Sequence, residues 1–206
     1  MSVSRSFLAE IRYTPEQISQ RVSELARELS DDLGSERPLL VAVLKGSVIF
    51  LADLARRIGI DSEVDFISVS SYSGGSREAG RVRILKDLDI SIEDRHVVLV
   101  EAIVDTGLTL SFLLKTLNAR NPRSLEVCTL LDKPMRRIAQ PDIRYKGFET
   151  QDYVVGYGLD FKGRYRNFPY IVAVKDVPAL ADNPDALEAM FGGDFGGTRK
   201  ASPMLL

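Results

Sequence analysis

Apolar residues fall at Ile18, Val22, Leu25 and Leu29, a spacing that gathers them on one face of a helix. Thr14-Pro15-Glu16-Gln17 marks where that helix starts, with Thr as N-cap, Pro at the first helical position and Gln where a capping box needs it. Leu39 to Leu44 is short and apolar without a break, which predicts a buried strand. After Lys45-Gly46-Ser47, a second helix is predicted over Val48 to Ile58, and alternation from Glu63 predicts a strand ending at Ser71-Tyr72. Ser73 to Arg83 is polar and glycine-rich, the composition of a mobile lid-like loop. Further on, strands are predicted at Val97 to Val100, Leu125 to Leu131, Tyr153 to Tyr157 and Tyr170 to Val174, with a helix over Leu108 to Leu117 stopped by Asn121-Pro122. From Asp182 the chain has few apolar residues, and GGDFGG at 192–197 predicts a loosely ordered tail. Strands alternating with helices indicate an α/β domain with a mostly parallel sheet.

Composition narrows the chemistry. A chain of 206 residues suits one large domain, or one domain with a small lobe. With 27 basic and 29 acidic residues, the net charge of -2 carries no footprint for nucleic acid. Cys128 is the only cysteine, so no internal disulfide can form, which suits a reducing cytosol. MSVSRSFLAE lacks the apolar core of a signal peptide, and no run is long enough to span a bilayer; a cytoplasmic protein is expected. His96 is the only histidine and opens a strand beside Arg95, a solvated edge position, which leaves no basis for a Ser-His-Asp engine or a His/Cys zinc site. Any metal should be a hard ion held by oxygens, such as magnesium. Gly156-Tyr157-Gly158 is followed by Phe161 where a dinucleotide fingerprint needs its third glycine.

The segment VVLVEAIVDTGLTL, residues 97–110, joins a buried strand to two acids, Glu101 and Asp105, and then to a glycine turn lined with hydroxyls. Ligands of open α/β sheets sit beyond the carboxyl ends of strands. Thr106 to Thr109 would present unpaired N–H groups and the positive end of a helix dipole there, with Gly107 letting an anion approach the backbone. No Gly-Lys-Ser/Thr follows, so this is a monophosphate cradle and not a Walker loop. Carboxylates beside a phosphate site fit ribose hydroxyls and magnesium. On spacing alone, an N-cap cluster with surface acids fits equally well.

VVLVEAIVDTGLTL also resembles the phosphoribosyl-pyrophosphate signature of type I phosphoribosyltransferases. VLKGSVIFLADL (43–54), VDFISVSSYSGGSREAGRVRILKDLD (64–89), LLDKPMRR (130–137) and YVVGYGLDFKGRYRN (153–167) narrow the resemblance to the hypoxanthine-guanine branch. It implies an enzyme that displaces pyrophosphate from C1 of phosphoribosyl pyrophosphate with a purine nitrogen. In that reading Asp105 is the general base or acid near purine N7, and Asp105, Thr106, Gly107, Leu108 and Thr109 hold the 5-phosphate. Glu101 and position 102 bind ribose, while Lys45, Gly46, Ser71, Tyr72 and Arg166 bind pyrophosphate. Lys133 offers donors only and so suits the O6 of a 6-oxopurine; Tyr153 stacks on the ring and Val154 binds it through its backbone. Backbone near Leu159 or Asp160 meets C2, and Glu101 and Asp160 reach Mg2+. The Leu44–Lys45 bond is often cis in this family. The resemblance further implies one domain over 1–181, with a flap at about 71–86 and a hood built from the N-terminal segment and about 153–175, before the flexible tail 182–206. Self-association as a dimer or tetramer is also implied.

One position departs from the pattern. Most relatives carry Glu-Asp where this chain has Glu101-Ala102. Losing one charge-assisted hydrogen bond to ribose costs about 1.5–3 kcal/mol, roughly ten- to a hundredfold in affinity. Two competing readings share the fold: a nucleotide-sensing regulator of RNA or DNA, and an enzyme preferring xanthine. Against the regulator stand the retained Asp105, Lys133, Asp160 and Arg166 and the near-neutral charge.

Overall fold

The computed structural model describes residues 8–71 and 82–191. Tyr72, most of the expected flap and the GGDFGG segment lie outside the described residues. Among the described residues, nine strands form two sheets. Six of them make the main sheet: β2 (Leu39–Leu44), β3 (Glu63–Ser71), β4 (Val82–Lys86), β5 (His96–Val104), β6 (Ser124–Asp132) and β7 (Tyr145–Glu149), in the order β4-β3-β2-β5-β6-β7. Every neighbouring pair is parallel except β3 with β4 at one edge.

Helices cover both faces. The first is α1 (Pro15–Leu33), where Thr14 accepts from the Gln17 amide and Gln17 reaches back to the Thr14 amide, completing the expected capping box. Ile18, Val22, Leu25 and Leu29 are all buried, and they pack with Phe50, Leu51 and Leu54 of α2 (Val48–Ala55) over Leu40, Ala42, Val98 and Val100. The opposite sheet face, Leu39, Val41, Val97 and Leu99, is covered by Leu110, Leu113 and Leu117 of α3 (Leu108–Asn118). Alternation along buried parallel strands feeds both layers, so β2 reads as an unbroken apolar run.

A smaller sheet, β1-β9-β8, pairs β1 (Ala9–Tyr13) and β8 (Tyr153–Val155) antiparallel with β9 (Ile171–Val174). It carries its own core with α4 (Val177–Asp182) and α5 (Ala186–Phe191).

Several expectations are corrected. β5 does not stop at Val100 but runs through Glu101 to Val104, so Glu101 is a strand residue. The helix predicted to Ile58 ends at Ala55, three residues before the Ile58-Gly59 segment, where the Gly59 amide donates to Ser30 Oγ at 2.9 Å. Arg83 belongs to β4 and not to a loop, because Val82 and Arg83 pair with Ser71 and Ser70. Within the segment expected to be loose from Asp182, Ala186–Phe191 form α5: Leu187 is fully buried and Phe191 packs edge-on against Tyr170. His96 sits not at a sheet edge but at the amino end of a central strand, half-buried, with Nδ1 2.8 Å from Ser124 Oγ. Cys128 is buried and free. No described helix is long and apolar enough to cross a membrane.

Candidate active site

A cleft of about 230 Å³ opens at the carboxyl ends of β2 and β5. Leu44 and Gly46 line it from β2 and its following loop, where the Leu44–Lys45 peptide is cis as expected. Glu101 to Asp105 form a second wall, Thr106, Gly107 and Thr109 a third, and Leu159 reaches in from the smaller lobe.

The third wall is the start of α3. Gly107 is its N-cap, with φ 80 and no side chain to cap with, so Asp105 does not fill the N-cap role that spacing alone allowed. The first-turn amides of α3 have no acceptor within the helix, and the dipole adds positive character at the same place. Glycine is required at 107 for a reason other than anion approach. A Cβ there would lie 2.4 Å from the Ala139 carbonyl oxygen and 2.9 Å from Pro141 Cδ. That neighbouring segment braces the turn, since the Ile138 and Ala139 amides both donate to the Thr106 carbonyl, at 2.9 and 3.0 Å.

Asp105 stands between two cations. Arg136 Nε is 3.1 Å from its Oδ1 and Lys133 Nζ is 4.0 Å from its Oδ2. Even so, Oδ1 is shielded from solvent and accepts no well-aligned hydrogen bond among the described residues. The Lys133 side chain is 4% exposed. Desolvation pulls its pKa below the usual lysine value, with Asp105 opposing that shift. Arg137 fixes the arrangement from behind: it pairs with buried Asp132 and donates to the Asp105 carbonyl at 2.7 Å. A buried cation and an under-satisfied carboxylate side by side can read a heterocycle that offers an acceptor and a donor.

Glu101 is partly reachable from the cleft, yet desolvation pushes its carboxyl up to about 8. No charged group opposes that shift among the described residues. Ala102 is 3% exposed and lines the same cleft, its Cβ 3.5 Å from where a Cβ on Gly46 would stand.

The smaller lobe supplies a charged turn. Arg166 Nη2 pairs with Asp160 Oδ1 at 2.6 Å and its Nη1 donates to the Gly158 carbonyl at 2.6 Å. The other Asp160 oxygen accepts the Gly163 amide at 2.7 Å. Tyr153 is 39% exposed and stands edge-on to Phe161. Val154 is buried in the main core beside Leu159, and Lys45 is exposed. Of the residues singled out from sequence, Gly46, Glu101, Ala102, Asp105, Thr106, Gly107, Thr109 and Leu159 share the cleft wall. Lys133 joins them through Asp105, and Arg166 with Asp160 through Gly158. Leu108 is exposed one residue along, and Ser71 ends β3.

Among the described residues, no three His, Cys, Asp or Glu side chains converge on a metal position. Asp160 is already committed to Arg166 and Gly163, so Glu101 and Asp160 do not make a cage of their own. Magnesium typically uses one or two carboxylates together with water and substrate phosphates. The donor set therefore fits an ion that arrives on a diphosphate.

A family model described as the phosphoribosyl transferase domain matches residues 12–162. The chain belongs to the phosphoribosyltransferase family. It is 51% identical over 171 residues to the hypoxanthine-guanine phosphoribosyltransferase of Mycobacterium avium, covering 80% of this chain and 84% of that one. Its counterpart in Bacillus subtilis is 43% identical, over 85% of this chain and 97% of that one. A crystal structure of a hypoxanthine phosphoribosyltransferase from Staphylococcus aureus superposes with a TM-score of 0.78 at 42% identity, over 85% of this chain and 97% of that chain. Phosphoribosyltransferases are generally magnesium-dependent, in keeping with the open donor set. The residues that sequence reasoning missed in this phosphoribosyltransferase are Asp132, Arg136 and Arg137. The only sequence signal for the arginines is the pair of them directly after Lys133-Pro134.

Proposed function

We propose that this protein transfers the 5-phosphoribosyl group of phosphoribosyl pyrophosphate to hypoxanthine or guanine, a purine-salvage reaction. A purine ring nitrogen bonds to C1 of the sugar as the C1–oxygen bond to pyrophosphate breaks. The proton displaced from the purine passes to Asp105, whose Oδ1 lacks a directed donor. The amides of 106–109 grip the 5-phosphate, and Glu101 meets the ribose. Lys133 donates to the purine O6, and a charged donor left unpaired by adenine enforces the preference. Tyr153 offers an exposed ring face for stacking, and the backbone at Val154, Leu159 and Asp160 meets the rest of the base. Lys45, Gly46, Ser71, Tyr72 and Arg166 serve the leaving group. Magnesium, when bound through the substrate with Glu101 or Asp160, neutralises charge on the departing diphosphate. Self-association into a dimer or tetramer belongs to the same reading.

The observation that carries this reading is Asp105 itself. It lies between Lys133 and Arg136, at the mouth of a turn whose first amides have no acceptor within the helix and no side-chain cap among the described residues. The test is nucleotide formation from hypoxanthine, guanine and xanthine, with and without magnesium. IMP and GMP formed only with magnesium is the expected result; no nucleotide from any base contradicts it, and a preference for xanthine reassigns the substrate. Because Ala102 sits against Gly46, Ala102→Asp should lower the KM for phosphoribosyl pyrophosphate about tenfold while lowering Tm, since the new carboxylate is buried until substrate binds.

A further inference from the structure

The turn from Gly156 to Leu159 is held from three sides. Gly156, Tyr157 and Gly158 have φ of 98, 49 and 95, so the backbone is left-handed through three successive residues. Tyr157 has the only side chain of the three. Its phenol is buried and donates to Asp53 Oδ2 of α2 at 2.5 Å. On the second side Gly158 lies directly on the pyrophosphate loop: a Cβ there would stand 2.1 Å from the Gly46 carbonyl oxygen. On the third side Arg166 grips the same glycine, accepting its amide at the Arg166 carbonyl (2.9 Å) and donating from Nη1 to its carbonyl.

Asp53 is well suited to act as the anchor. Burial works against its charge, but the Tyr157 hydroxyl and the Arg56 and Arg57 guanidinium groups outweigh that and hold its carboxyl below the ordinary range. It also sits on the helix that starts two residues after Gly46, so α2 carries both the anchor and one end of the loop being positioned. The O6 and N7 edge of the purine hangs on different supports. Asp105 and Lys133 are braced by Arg137, Asp132 and the end of β6.

We propose that Asp53 and Tyr157 form a positioning pair for the leaving-group half of the site, setting Gly46 and Arg166 through Gly158. The pair governs engagement of phosphoribosyl pyrophosphate and not the O6 and N7 edge of the purine, which Asp105 and Lys133 read. The inference rests on the phosphoribosyl-transfer reading above, deepening it to two residues outside the cleft.

The test is steady-state kinetics of Tyr157→Phe, Asp53→Asn and the double variant, varying each substrate at saturating levels of the other. Tyr157→Phe keeps the ring and its packing, so it preserves the fold. The expected result is a rise in KM for phosphoribosyl pyrophosphate of about tenfold (about 1.4 kcal/mol), KM for hypoxanthine within about twofold, and a double variant no worse than Asp53→Asn. Unchanged KM values, or equal rises for both substrates, overturn the proposal and leave the bond a structural one. Calorimetric titration of inorganic pyrophosphate with magnesium into wild type and Tyr157→Phe reads the pair without turnover. Weaker binding by the variant supports the pair even if nucleotide formation fails, and equal binding refutes it even if nucleotide formation succeeds.

Discussion

The two ends of β5 differ in how their polar groups are met. At the amino end the charges are matched. Arg95 pairs with Glu63 at 2.8 Å, Arg123 grips Asp94 with two nitrogens at 3.0 and 2.9 Å, and His96 lies between Ser124 and Glu36. Toward the carboxyl end, five to nine residues along the same backbone, the matching fails. Among the described residues, Glu101 has no charged neighbour opposing its desolvation, Asp105 Oδ1 has no directed donor, and Lys133 is buried with its nearest carboxylate oxygen 4.0 Å away. Buried polar groups are nearly always satisfied, so a cluster of unmet ones at the carboxyl ends of β5 and β6 marks where a ligand completes the set.

The largest break in that contrast should come from Asp105→Asn, which keeps the shape and removes the proposed proton acceptor. A fall in kcat of about 10²–10⁴-fold is expected by steady-state assay, with Tm close to wild type. Lys133→Met retains the stem and deletes the donor. KM for hypoxanthine and guanine should then rise about ten- to a hundredfold, since one hydrogen bond to a charged group is worth about 1.5–3 kcal/mol. Glu101→Gln sharpens the comparison through pH. The folded chain keeps this carboxyl protonated up to about 8, whereas the unfolded chain gives the proton up near the ordinary value of 4.5. Stability of the ligand-free enzyme therefore falls as pH climbs across that window and levels off above it. Glu101→Gln should abolish the fall, melting with wild type at pH near 4 and at least about 3 °C above it at pH near 9. The smallest effect belongs to the matched end. His96→Asn should change kcat and both KM values by less than about twofold, because surface-type pairs are worth about 0–1 kcal/mol.

The sequence made some of this legible and hid the rest for physical reasons. α1 announced itself because a capping box and an apolar face are both local signals. β2 did so because a strand buried on both faces reads as a continuous apolar run. The three strands that went unread, β1, β4 and β7, are all edges of their sheets. An edge strand such as AEIRY or YKGFE buries few side chains, so its alternation is weak. α5 was hidden in the same way, since its hold on the lobe is carried chiefly by Leu187. The turn at 106–109 was visible from hydroxyls and glycine, but the packing reason for Gly107 was not: its obstacle, Ala139, lies 32 positions on. Arg136 and Arg137 reach Asp105 only through the fold. Asp53 and Tyr157 are 104 residues apart, and nothing in local spacing joins them.

The most direct test of the account is a crystal structure of the protein with a purine mononucleotide. The prediction is a phosphate seated on the amides of 106–109, with the base ring between Tyr153 and the Asp105–Lys133 pair. A nucleotide bound elsewhere, with the start of α3 empty and Asp105 still held by Arg136, would contradict it.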